Sequence, residues 1–70
     1  MNQLIASMAG NVYKVLVKEG DIVSEGVDVV ILESMKMEIP ISAESEITVK
    51  AVMVAEGDFV NEGDVILEVE

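Results

Sequence analysis

Seventy residues, 51% of them hydrophobic, make one domain spanning 1–70, and a core of that size supplies only about 3–5 kcal/mol. The chain has no cysteine and no histidine, which removes disulfides, thiolate metal sites and the Ser-His or Cys-His nucleophile arrangements. Fourteen acids against four lysines give a net charge of −10, which excludes nucleic acid as a partner and disfavours an anionic membrane surface.

Thirteen valines and seven isoleucines point to strands, because β-branched side chains fit a pleated surface. In chain order, strands are expected near 4–8, 12–17, 22–23, 29–33, 37–42, 48–54, 59–60 and 65–69. Glu19-Gly20-Asp21 and Glu25-Gly26 mark tight turns on either side of the short third strand. Pro40, between Ile39 and Ile41, places the fifth strand at a sheet edge or on a bulge. No stretch longer than about ten residues carries a helical stripe. No apolar run approaches the roughly 18 residues of a membrane span. The segment Met1-Asn2-Gln3-Leu4-Ile5 lacks the basic residues of a secretory signal, so the expected location is the cytoplasm.

The second half restates the first. Glu19-Gly20-Asp21-Ile22-Val23-Ser24-Glu25-Gly26 returns as Glu56-Gly57-Asp58-Phe59-Val60-Asn61-Glu62-Gly63, with six of eight positions identical. Val12, Val15 and Val17 align with Val49, Val52 and Val54. Further on, Asp28-Val29-Val30-Ile31-Leu32 matches Asp64-Val65-Ile66-Leu67 after a slip of one residue. Two copies are too few for a solenoid and instead predict two similar half-sheets related by an internal two-fold.

The middle of the chain breaks local rules. A reversal within Ser34-Met35-Lys36-Met37 sets Glu33 across from Glu38, an unfavourable like-charge pair. Two-residue hairpin turns favour Asn-Gly or Asp-Gly, because both central residues take φ > 0; Met-Lys is a poor choice. Lys36 is the only basic residue between Glu19 and Val49, and it stands between two methionines. Rules broken together at one spot mark function more often than folding. A turn lysine that only aids solubility, and methionines that only fill gaps, are the bland alternatives.

Glu33-Ser34-Met35-Lys36-Met37-Glu38 resembles the attachment motif of biotinyl domains, whose hallmark is Met-Lys-Met. Met8-Ala9-Gly10 at the first turn, Glu-Gly-Asp-x-Val twice, and the run from Asp58 to Asp64 extend the resemblance over essentially the whole chain. The chain is thus similar to the biotinyl/lipoyl domain family, closest to its free-standing bacterial members. The resemblance implies an all-β, flattened barrel-sandwich of two four-stranded antiparallel sheets with internal pseudo-two-fold symmetry. It implies that Lys36, at a hairpin tip, is biotinylated by a biotin protein ligase. Met35 and Met37 then flank the lysine as recognition groups, and the ligase reads Glu33, Ser34 and Glu38. The biotin arm carries CO₂ between biotin carboxylase and carboxyltransferase components, on a monomeric carrier that is no enzyme and holds no metal. Ser34 replaces the alanine usual before Met-Lys-Met. The turn 44–47 reads Glu44-Ser45-Glu46-Ile47 where the family commonly has glycine; isoleucine tolerates φ > 0 badly, so a different turn is expected there.

Two other classes stay open at this point. A lipoyl carrier would bear lipoate on the same lysine, although lipoyl domains typically read Asp-Lys-Ala. A cofactor-free barrel-sandwich adaptor would have no need for Met-Lys-Met.

Overall fold

The computed structural model describes residues 2–70. Eight strands follow one another: β1 (Asn2–Ile5), β2 (Gly10–Val15), β3 (Ile22–Val23), β4 (Asp28–Ser34), β5 (Met37–Ser42), β6 (Ile47–Val52), β7 (Phe59–Val60) and β8 (Val65–Val69). They form two four-stranded antiparallel sheets, ordered β1-β8-β6-β3 and β5-β4-β2-β7. This is the barrel-sandwich that the sequence leads one to expect. The inner faces of both sheets meet in a core of valine, isoleucine, leucine and alanine, with Val29, Val30, Leu32, Ile66 and Leu67 at its centre. Among the described residues no polar or charged side chain is buried, so the core carries no polar desolvation cost.

The two halves superpose with a constant offset of 37 positions. Val12 pairs with Leu32 as Val49 pairs with Val69, and Val15 pairs with Val30 as Val52 pairs with Leu67. Each ladder slips at the same place, at Tyr13 and at Lys50. Gly20 N–H donates to the Val49 carbonyl, and Gly57 N–H donates to the Val12 carbonyl. The one-residue slip expected from Asp28 and Asp64 is therefore wrong. Structurally Asp64 answers to Val27: the Ala6 N–H reaches the Asp64 carbonyl as the Ala43 N–H reaches that of Val27. The two aspartates share a letter and differ in work. Asp28 accepts the Ser42 hydroxyl at 2.7 Å, and Asp64 accepts the Asn61 N–H at 2.8 Å in its own turn.

Gly20, Gly26, Gly57 and Gly63 all lie near φ +90°, where other residues are strained. Asp21 and Asp58 close the matching turns by accepting the N–H groups of Lys18 and Ala55. Four strands start or stop away from the expected bounds; β4 runs one residue further at each end than the expected 29–33. β1 runs over Asn2–Ile5 instead of 4–8: Asn2 and Gln3 pair with Val69 and Glu68 of β8, and Met8 falls in the crossing to the next sheet. β2 begins two residues early, at Gly10, because Gly10 and Asn11 pair with β7. β6 runs over Ile47–Val52 instead of 48–54, starting where Ile47 pairs with Val23.

That pairing agrees with the expectation that the turn 44–47 does without positive φ at Ile47. Ile47 is ordinary strand, and it is not among the residues with positive φ. Its counterpart Gly10 is not among them either. Glycine at this place in the first half serves close approach: a Cβ on Gly10 would lie 3.0 Å from the Glu33 carbonyl oxygen.

Candidate functional site

The hairpin of β4 and β5 pairs Leu32 with Ile39, Glu33 with Glu38 and Ser34 with Met37. Only Met35 and Lys36 remain to turn the chain, at φ +53° and +65°. Both central residues thus occupy the left-handed region, as a primed two-residue turn requires. They are the only positive-φ non-glycine residues found among those described, and each costs on the order of 1–3 kcal/mol relative to an unstrained backbone. The flanking strands impose this conformation. β4 lies inside its sheet, hydrogen-bonded on both sides to β5 and β2, and its twist admits only a turn of that hand.

Ladder alternation fixes the rest of the hairpin. Ser34 and Met37 close the turn as a hydrogen-bonded pair, so Glu33 and Glu38 form a non-hydrogen-bonded pair with side chains close together. Continuing the alternation, the Pro40 nitrogen faces away from β4, on the outer edge of the outermost strand, where no donor is needed. Pro40 is thus on an edge strand, as the sequence predicts.

The six residues singled out by sequence fall together at this tip. Met35 is 91% exposed and Met37 64% exposed; Lys36, Glu33 and Glu38 are exposed and Ser34 is half-buried. The amine therefore stands in water, flanked by two unbranched thioethers and backed by two carboxylates. An amine so placed can be acylated by an enzyme that brings its own active site. The neighbouring titratable groups, Glu33 and Glu38, are exposed like the amine. Amide formation removes its charge and leaves a long arm on a rigid stem, so the site fits a carboxylic-acid cofactor joined through its carboxyl group. Sequence reasoning did not reveal that Gly10 supports the hairpin base. The one visible signal was the exchange itself: glycine stands at this place in the first copy and isoleucine in the second.

Comparison with known proteins gives a consistent result. A family model described as "Biotin-requiring enzyme", for biotin and lipoyl attachment, matches residues 2–70. The Biotin/lipoyl attachment protein of Bacillus subtilis (strain 168) is 64% identical over 61 residues, which are 87% of this chain and 84% of that protein. The Biotin carboxyl carrier protein of Streptococcus mutans is 46% identical over 68 residues, 97% of this chain; the chain spans about half (52%) of that protein's length. Among solved structures, a single-chain, multi-domain long-chain acyl-CoA carboxylase superposes with a TM-score of 0.88 at 35% identity. The match takes in 94% of this chain and 7% of that one.

Proposed function

The chain belongs to the biotin/lipoyl attachment family, and from that membership we propose that it is a biotin carrier whose Lys36 is the point of covalent attachment. The observation that carries the assignment is the turn: a strained, exposed Met35-Lys36 pair at the tip of a hairpin rooted in a rigid sheet. A biotin protein ligase removes a proton from the Lys36 ammonium. The free amine then attacks the carboxyl carbon of biotinyl-adenylate, the C–N bond forms, AMP leaves with the C–O bond electrons, and the nitrogen releases its second proton to solvent to give the neutral amide. Met35 and Met37 offer the ligase an apolar contact on each side of the amine. Glu33 and Glu38 set the sign of charge that the ligase must complement. Biotin so attached carries CO₂ between the biotin carboxylase and carboxyltransferase sites of a biotin-dependent carboxylase. The protein's own part is to hold the arm on a stiff stem, which raises the local concentration of its end at each site. A net charge of −10 repels a second copy and favours a monomer.

Intact mass after expression with a biotin protein ligase tests the reading. One biotinyl increment, absent from Lys36→Ala, is the expected result. An increment that persists in Lys36→Ala places the cofactor on Lys14, Lys18 or Lys50 and overturns the assignment. An increment only with a lipoate ligase moves the chain to lipoyl carriage, and none with either ligase makes it a cofactor-free adaptor.

A further inference from the structure

A row of residues crosses all four strands of the β5-β4-β2-β7 sheet at the hairpin end. Glu38 pairs with Glu33, Glu33 with Asn11, and Asn11 with Phe59. All four are exposed on the outer face, and Val60, the next residue after Phe59, is buried in the core. Phe59 is the single phenylalanine of the chain and is 60% exposed. Met53, 51% exposed, lines the same shallow concavity. No lysine lies on the row.

We infer that Phe59 is a positioning residue for attachment: it enters an apolar pocket of the ligase that acylates Lys36, while basic side chains of that ligase face Glu33 and Glu38. The inference rests on the reading of Lys36 as the attachment site. Neighbouring strands lie about 4.8 Å apart, so Phe59 is roughly 10 Å from Glu33 across two spacings. Lys36 is three residues beyond Glu33, roughly another 10 Å along the hairpin. A standard interface covers about 800 Å² of each partner, a disc of roughly 16 Å radius, so a ligase seated on the tip reaches the ring. The ligase is the partner that needs this face. It must bring its active site to a bare amine, with no arm to span the gap. A carboxylase meets the end of an extended arm and can work further from the sheet.

The internal two-fold supplies a matched control. Ile22 is the counterpart of Phe59, on β3, paired with Thr48 and 72% exposed. It has the same strand setting and the same preceding Gly-Asp turn, but it belongs to the sheet that lacks the hairpin.

The experiment follows transfer of biotin into the unmodified chain by a bacterial biotin protein ligase supplied with ATP and biotin. Loss of an aromatic anchor lowers kcat/KM by about ten- to thirtyfold, so Phe59→Ala is expected to fall by that factor, chiefly through KM. Phe59→Leu recovers most of the loss, and Ile22→Ala stays close to the unsubstituted chain. Equal effects at Phe59 and Ile22 overturn the inference. A Phe59→Ala defect seen only when the loaded chain is carboxylated also overturns it, and gives the residue to the carboxylase. Amide NMR of the unsubstituted chain titrated with ligase needs no variant to fold. Perturbation at Asn11 and Phe59 with none at Ile22 and Thr48 supports the contact, and an unperturbed Phe59 overturns it. Failure of the unsubstituted chain to accept biotin at all overturns the attachment reading and this inference with it.

Discussion

The two halves of this protein share a ladder, a core and a set of turns, and they differ at one end. In the first half β4 continues through Met35-Lys36 into β5; in the second, β8 runs to the end of the chain, and its partner on that side is β1. Two departures from symmetry meet where the chain is continuous. Gly10 supports the hairpin while its counterpart Ile47 is plain strand, and the only left-handed non-glycine backbone among the described residues is at the tip. Residues that obey the two-fold build the scaffold, and at the hairpin end the residues that break it surround the candidate site. A duplicated fold thus carries its own reference state, and each substitution at the tip has a partner at the other end against which to measure it.

The largest effect is expected from making the halves alike at the hairpin base. Gly10→Ile installs the second half's residue where a Cβ lies 3.0 Å from the Glu33 carbonyl oxygen, a backbone atom that cannot step aside. Overpacking of this kind costs about 3 kcal/mol, most of the stability that a core of this size supplies. A thermal melt should show a drop of about 12 °C or more. A drop under a few degrees would mean that the close approach is not needed.

Relieving the turn comes next, with the opposite sign. Asn-Gly in place of Met35-Lys36 supplies residues that accept φ > 0 and stabilises the chain by about 2 kcal/mol, or about 10 °C in Tm. Attachment is abolished along with the lysine. A milder form, Met35→Asn, keeps Lys36 and separates backbone strain from chemistry: the chain should melt higher yet be acylated more slowly. If the double substitution melts no higher, the strain at the tip is not real.

Ile47→Gly is the reverse exchange. A half-buried side chain beside Val23 is lost and strand backbone freedom rises, costing about 1–2 kcal/mol. Attachment at the distant tip should be unchanged. A more stable Ile47→Gly would restore the idea that this position wants glycine.

All eight strands could be read from the chain because β-branched runs and Glu-Gly turns punctuate it densely. The hairpin register could be read too, because Ser34 to Met37 leaves room for only a two-residue turn. What misled were features that sequence identity suggests and geometry decides. Asp28 and Asp64 look equivalent, but the hydrogen bonds of Ala6 and Ala43 put Asp64 with Val27. Ile47 stood out because the family commonly has glycine in that turn, but it is paired strand without positive φ, and the glycine at the matching place, Gly10, answers to the Glu33 carbonyl across the ladder. Strand ends shifted where a neighbouring strand of the same sheet supplies partners for the flanking residues, which no local propensity records.

The smallest effect concerns the like charges beside the lysine. Glu33 and Glu38 face each other in a non-hydrogen-bonded pair, the closer of the two antiparallel geometries. Both are exposed, so water weakens their repulsion, and salt weakens it further as the Debye length shrinks from about 10 Å at 0.1 M to 3 Å at 1 M. Glu38→Gln should therefore raise Tm by about 2–3 °C at low salt and by less in 1 M salt. Glu70→Gln is the control, since Glu70 is the two-fold counterpart of Glu33 and removes the same unit of charge from the other end. If both variants gain equally, the gain belongs to net charge and the pair contributes nothing. If only Glu38→Gln gains, and its acylation slows, then the repulsion persists because the ligase reads it: two carboxylates that disfavour the free hairpin are the charges a basic partner finds.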